Sequence, residues 1–201
     1  LFAEYRDLAD KPGMLVEARG EAAAALAKAG KTVEFTYEFP YLAHAAMEPL
    51  DCTVMFDGEK ATVWTGSQLQ TIDHNVCAHV LGIPPQNVEI VTQWAGGSFG
   101  RRAIADSHFV AEAATIAMAW GRPQPVKVVW TREDDMAGGY YRPMYVHKVK
   151  LGFDGEGGLK AWHHRIVGQS IIAGTPFEPY LVKHGIDHTS VEGVEGTSYG
   201  I

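Results

Sequence analysis

Residues 94–102 read Trp94-Ala95-Gly96-Gly97-Ser98-Phe99-Gly100-Arg101-Arg102, the run best suited to face a ligand. Glycine tolerates positive φ and, lacking a Cβ, lets the backbone come close to a bound group. Successive N–H groups in such a turn form an anion-binding nest, helped by the dipole of a following helix. The two arginines add positive charge. Neither GxxxxGK[ST] nor GxGxxG is present, so this is no Walker loop or dinucleotide fingerprint. On these residues alone two readings stand: an anion site, or a tight strand–helix turn with the arginines on the surface. Gln68, in Ser67-Gln68-Leu69-Gln70, has an amide that can donate and accept at a ligand, or it is simply part of a polar helix start. Glu48, before Pro49, is either a base or a surface turn residue. Glu133-Asp134-Asp135 reads as the acidic first turn of a helix capped by Thr131 rather than as a metal site. Tyr140-Tyr141-Arg142-Pro143 reads as a loop that packs against something.

The pattern around these residues predicts the elements that carry them. Short helices are expected over Leu1–Leu8 and Glu21–Ala29, the second with Gly30 as its C-cap. Met14–Glu17 reads as a short strand, and Thr32–Tyr37 alternates as a strand. Cys52–Phe56 and Ala61–Trp64 form a hairpin around Asp57-Gly58. Leu69–Leu81 is a helix with Ile72, Val76, His79 and Val80 on its buried face, ended by Gly82 and Pro84. Strand Val88–Trp94 leads into the glycine run, and Ala103–Trp120 is the longest helical pattern. Strand Val126–Trp130 and the hairpin Tyr145–Phe153/Leu159–Ser170 follow. Helices and hairpins alternate without a βαβ rhythm, which predicts an α+β fold of helices on a mixed or antiparallel sheet. Residues 1–174 form the main domain, in one piece or two small lobes, and residues 175–201 a tail that leans on further chain or a partner.

Composition narrows the function. The 201 residues carry 17 Lys+Arg against 24 Asp+Glu, a net charge of −7 that argues against a nucleic-acid face. No apolar run reaches membrane-spanning length. The two cysteines, Cys52 and Cys77, are too few for a four-thiolate iron–sulfur cluster or an all-cysteine zinc site, and read as buried thiols. The nine histidines are dispersed and lack HExxH spacing.

The order of several short motifs adds a resemblance. Pro40-Tyr41-Leu42-Ala43-His44-Ala45-Ala46-Met47-Glu48-Pro49-Leu50, Trp64-Thr65-Gly66-Ser67-Gln68, Leu81-Gly82-Ile83-Pro84, Gly96–Arg102 and Trp130-Thr131-Arg132-Glu133-Asp134 follow one another at compatible spacing. In this the chain resembles the molybdenum-cofactor-binding large subunit of the xanthine dehydrogenase/aldehyde oxidoreductase family, over about Leu1–Ser170. It is most similar to the isoquinoline 1-oxidoreductase β-subunit and membrane-bound aldehyde dehydrogenase branch. The resemblance implies that Gln68 lies near the apical oxo ligand of molybdenum. It implies that Phe99 and Gly100 lay their backbone against the metal centre, with Gly96 and Gly97 letting that loop approach. The implied cofactor is molybdopterin, including its cytosine dinucleotide form, with molybdenum held by the pterin's sulfurs and by no side chain here.

Ala103 stands where purine-oxidising members carry a substrate glutamate, so the resemblance implies an aldehyde or N-heteroaromatic substrate. The family's general-base glutamate is expected beyond Ile201; Gly193-Val194-Glu195-Gly196 does not match its position. The chain is therefore expected to be a segment of a longer subunit, inactive and without cofactor by itself. Expected partners are the remainder of the large subunit and a small [2Fe–2S] subunit. The first residues lack a signal peptide's basic and apolar regions; the branch implies a periplasmic or membrane-associated protein, and otherwise a cytoplasmic one is expected. Two other readings remain on the residues: a non-catalytic assembly domain, and a nucleotide-phosphate site at the glycine loop.

Overall fold

The computed structural model describes residues 1–198. In chain order, α1 (Phe2–Ala9), α2 (Ala22–Lys28) and β1 (Lys31–Phe39) come first. They are followed by β2 (Asp51–Phe56), β3 (Ala61–Thr65), α3 (Gln70–Leu81), β4 (Val88–Thr92), α4 (His108–Trp120), β5 (Val126–Val129) and α5 (Arg132–Ala137). The chain then continues through β6 (Tyr145–Phe153), β7 (Leu159–Gly168), α6 (Glu178–Leu181), β8 (Val182–Lys183) and β9 (Ile186–Asp187). This is the α+β class expected. The elements divide into a central unit, Ala43–Arg142, and a flanking unit made of Leu1–Leu42 with the chain from Pro143 onward.

The central unit is built on a four-stranded sheet in the order β4-β3-β2-β5. Asp57 makes the β2–β3 hairpin: its Oδ1 accepts from the N–H groups of Glu59 (2.9 Å) and Lys60 (2.7 Å). Gly58 supplies the positive φ of +100°. Alternation then buries Cys52 and Val54 on β2 and Ala61 and Val63 on β3. Helix α4 meets this face with Phe109, Val110, Ala113, Ala114 and Ala117, a 3.6-residue stripe of mostly small residues that seats the helix close to the sheet. Both cysteines are free and buried in this core, as the sequence predicted.

Two expectations for the helices are corrected. Helix α3 turns Asp73, Cys77, Ala78 and Leu81 inward, while His79 is exposed and Ile72, Val76 and Val80 are half-buried. Hydrophobicity would never select Asp73 for the core; its carboxylate is buried because the hydroxyls of Ser67 and Ser107 both bond it. Helix α4 begins at His108 rather than Ala103. Ser107, its N-cap, takes a left-handed φ of +43° with its hydroxyl on Asp73. The preceding residues form tight turns, with Arg101 N–H on Ser98 O and Ala103 N–H on Gly100 O, which overrides the helical propensity of the segment.

The flanking unit has an antiparallel sheet in the order β1-β6-β7, against which α1 and α2 pack. Gly152 on β6 has no room for a side chain: a Cβ there would lie 3.1 Å from Ala29 and 3.2 Å from Leu26. Met14–Glu17 forms no strand; Met14 and Leu15 are exposed and no strand pairs with them. Gly30 does not cap α2, which ends on extended Ala29; its bare Cα instead lies beside the Asp154–Gly155 turn. The tail from Thr175 groups with this unit. Asp187 organises it, accepting from Ser170 Oγ (2.5 Å), Thr189 Oγ1 (2.6 Å) and Ser190 Oγ (3.2 Å). Tyr199–Ile201 lie outside the described residues.

Candidate functional site

The site is assembled at one end of the single parallel strand pair among the described residues. Strands β3 and β4 are joined through α3 and run side by side, Thr65 opposite Thr92. Their carboxyl ends therefore deliver Gly66-Ser67-Gln68 and the 94–102 loop to the same place, the position where open α/β sheets hold ligands. Gln93 N–H continues the pairing onto Thr65 O at 2.9 Å. Gly66 lets the two segments close up, because a Cβ there would fall 2.6 Å from that of Ala95.

Gln68 is exposed, and its Oε1 accepts a hydrogen bond from Ser98 Oγ at 2.6 Å. The same Ser98 oxygen accepts from the Arg102 backbone N–H at 3.0 Å. Of the loop residues, Gly97 and Gly100 take φ of +97° and +96°, and Phe99 a left-handed +57° with its ring largely exposed. A Cβ on Gly100 would meet nothing within 4 Å, so this backbone faces open space. Gly96 behaves differently. Its N–H donates to Glu48 Oε2 (2.8 Å), its carbonyl accepts from Glu48 N–H (3.2 Å), and a Cβ would lie 2.7 Å from that of Glu48. Its small size serves the packing of Glu48 under the loop.

The arginines are not a surface pair. Arg102 is 1% exposed, and its guanidinium lies beneath the loop. Its Nη2 donates to Glu48 Oε1 (2.7 Å), Asp51 Oδ1 (3.1 Å) and Pro49 O (3.4 Å); its Nη1 donates to Asp51 O and Gly66 O (both 3.3 Å). Lys127 Nζ approaches the other Asp51 oxygen at 3.2 Å. Burial pushes the Asp51 carboxyl upward, but its hydrogen bonds, those from Arg102 and Lys127 among them, hold it below the usual range. One guanidinium thus joins the Glu48 segment, the end of β3 and the loop. Glu48 is neither a free base nor an idle turn residue.

Arg101 is buried beside it. The Arg101 Nη2 donates to His108 Nε2 at 3.0 Å, so the His108 proton sits on Nδ1, facing Asp106 Oδ1 at 3.3 Å. Burial, then Arg101, hold this imidazole below its ordinary pKa. Tyr140 Oη donates to Asp106 Oδ2 at 2.9 Å, so the Tyr140 loop packs here. Gly139 takes a φ of +77° in it, and a Cβ there would fall 2.1 Å from Arg101 Nη2 and displace the guanidinium. Thr131 and Asp134 form the expected capping box, and Arg132 reaches from that helix to Asp135 (2.7 Å), Met47 O (3.1 Å) and Ala46 O. Of the ordered motifs, only Leu81-Gly82-Ile83-Pro84 stays away from this cluster: Gly82 caps α3 with φ +66°.

Sequence reasoning missed Glu48, Arg101, Arg102 and His44 as one cluster, because their contacts span about 50 residues and no local spacing announces them. A small cavity of about 10 Å³ is lined by His44, Ala46, Glu48, Ser98, Arg101 and Asp135. The buried Arg101 Nη1 and His44 Nδ1 have no hydrogen-bond partner among the described residues. No three of the described His, Cys, Asp or Glu residues are grouped to hold a metal. The open backbone at Gly100 leaves room for a polar group that brings its own metal ligands to approach the loop closely.

The profile of the molybdopterin cofactor-binding domain matches residues 8–190. The chain belongs to that family. This molybdopterin cofactor-binding domain is 31% identical over 157 residues to the aldehyde oxidoreductase molybdenum-binding subunit PaoC of Escherichia coli K12, across 78% of this chain and 21% of that protein. It is 31% identical over 132 residues to the isoquinoline 1-oxidoreductase subunit beta of Brevundimonas diminuta, across 64% of the chain and 16% of that protein. Its fold matches quinoline 2-oxidoreductase from Pseudomonas putida 86 with a TM-score of 0.61 at 22% identity, covering 74% of this chain and 19% of that one. Aldehyde oxidoreductase from Desulfovibrio gigas gives 0.59 at 25% identity, covering 75% and 16%. The chain spans about a fifth of the length of PaoC and a smaller share of the other curated relatives named. Family membership removes support from the nucleotide-phosphate reading of the loop.

Proposed function

We propose that this domain forms one wall of the cofactor pocket in a longer molybdenum oxidoreductase that oxidises an aldehyde or an N-heteroaromatic with water as the oxygen source. The observation that carries this is the convergence of Gln68 with the glycine loop at the carboxyl ends of β3 and β4. The names of PaoC and of the isoquinoline relative support the substrate classes. Ala103, exposed behind the loop, offers no carboxylate to a purine.

Gln68 would present its amide to the pterin-held metal, and Phe99 and Gly100 would hold the group through their backbone. Gly97 gives the loop its turn, and Gly96 fits it over Glu48. When bound, molybdopterin supplies the molybdenum and its two-electron chemistry, and its cytosine dinucleotide form suits the branch. Residues 1–201 hold, orient and shield. The two carboxylates beneath the loop, Glu48 and Asp51, are engaged by Arg102 and are not assigned the role of general base. The general-base glutamate comes from another part of the subunit, and a [2Fe–2S] partner takes the electrons onward. The tail exposes Tyr180 and Leu181, and the remainder of the subunit covers it.

The test uses the whole reading frame, produced with its partner subunit and the cofactor. Gln68→Ala should keep its molybdenum, measured by elemental analysis, while kcat on aldehydes or N-heteroaromatics falls about a hundredfold. Gly100→Val should lose molybdenum. Full metal content and full turnover in both variants would overturn the assignment.

A further inference from the structure

We infer that Ser98 is a positioning residue: it fixes the orientation of the Gln68 amide so that only N–H donors face the ligand. The inference deepens the proposed function and rests on its assignment of Gln68 to the cofactor.

An exposed glutamine presents either a carbonyl or an NH₂ to a neighbour, and the two orientations interconvert by rotation about the last side-chain bond. Which one is presented depends on what holds the other end. Here the Ser98 hydroxyl lies between two partners. Its oxygen accepts from the Arg102 backbone N–H at 3.0 Å, a group that can only donate. Its hydrogen is then free for Gln68, and Oε1 lies 2.6 Å away. The backbone at residue 102 does not swing aside to release the hydroxyl, because the Arg102 guanidinium beyond it is anchored to Glu48, Asp51 and the Gly66 carbonyl. A chain of hydrogen bonds therefore runs from Arg102 N–H through Ser98 Oγ–H to the Gln68 carbonyl. Such chains polarise one another and favour one direction. Oε1 is used on the protein side, so Nε2 with its two hydrogens is the free end. Gln68 thus selects a hydrogen-bond acceptor, an oxo or other anionic oxygen, and disfavours a donor in the same place. The ordering entropy of the amide is spent before the ligand arrives, which is how a positioned donor gains effect.

The test has one arm that needs no cofactor. In ¹⁵N-labelled chain, the Gln68 side-chain NH₂ should be ordered, with a positive heteronuclear NOE, and should show an NOE to Ser98. Ser98→Ala should make it as mobile as other exposed glutamine amides, while Ser98→Thr, which keeps a hydroxyl, should restore order. Backbone amide shifts elsewhere in residues 43–142 identify any variant that has lost the fold, and the serine/threonine pair then carries the comparison. In the loaded full-length enzyme, Ser98→Ala should lower kcat about tenfold with KM little changed. Gln68→Ala with Ser98→Ala should be no slower than Gln68→Ala alone. An amide equally ordered in Ser98→Ala, or equally mobile in the parent chain, overturns the inference, as do additive losses in the double variant. If Gln68→Ala itself leaves turnover intact, the proposed function fails, and the NMR comparison still decides what Ser98 does to the amide.

Discussion

The central and flanking units both pair opposite charges, and they do so in opposite surroundings. In the central unit Arg102 is 1% exposed and meets two carboxylates and several carbonyls. In the flanking unit Arg6 on α1 pairs with Glu38 on β1, and Lys150 on β6 pairs with Glu34 on β1 at 3.6 Å, all in contact with water. Exposed pairs of the second kind contribute little, because water and salt screen them and ordering two long side chains costs entropy. A buried charge of the first kind is different: removing one partner leaves the others uncompensated. The difference teaches where this sequence spends its polar residues on architecture. The network under the glycine loop holds three chain segments in register, and the surface pairs decorate a frame already set by strand pairing and helix packing.

The strongest way to break the comparison is Arg102→Met. The variant leaves Glu48 without its cation and should cost about 3 to 5 kcal/mol in urea unfolding; adding Glu48→Gln should recover part of it. A loss below about 1 kcal/mol would place Arg102 in the same class as the surface pairs.

Acid should find the flanking unit through a different route. His147 Nδ1 and His164 Nε2 are 3.1 Å apart. Burial, then His147 and His163, push the His164 imidazole down to about 4. Its folded pKa lies below the unfolded value of about 6.5. The unfolded chain therefore binds the proton first, and stability is full above about 6.5 and declines as the pH falls towards 4. The melting temperature should drop over that window, and His164→Gln should flatten the drop. An unchanged slope would remove His164 from the account.

The smallest effect sharpens the contrast. Arg6→Ala should leave the urea midpoint almost unchanged, and 0.5 M salt should erase most of the difference. A loss as large as that of Arg102→Met would show this helix–strand pair to be structural.

What could be read from the sequence follows the range of the interaction. The Asp57-Gly58 hairpin, the Thr131–Asp134 capping box and the Gly82 helix stop are decided within four residues, and each stands where the pattern put it. The inward face of α3 was misjudged because Asp73 is made buriable by Ser67 and Ser107, one of them 34 residues away. Of the two readings of the loop, the one with both arginines at the surface fails for the same reason: Glu48 and Asp51, about 50 residues away in sequence, bind Arg102 in the interior. The start of α4 was placed early because helix propensity at Ala103 is weaker than the turns that carry Arg102 inward. At the candidate site, Gln68 and the glycine loop came from motif order, while their meeting point depends on β3 and β4 pairing in parallel, which no local pattern contains.

The two cysteines give the central unit a clock of its own. Cys52 and Cys77 are 1% and 0% exposed, and burial raises both thiols to about 12. Alkylation needs a thiolate to attack the reagent and access to the sulfur, so neither residue reacts while the core is closed. Labelling then proceeds only through openings of Ala43–Arg142, at a rate set by how often they occur. Any ligand that braces the loop slows that label, so the thiols report occupancy of the site without touching it.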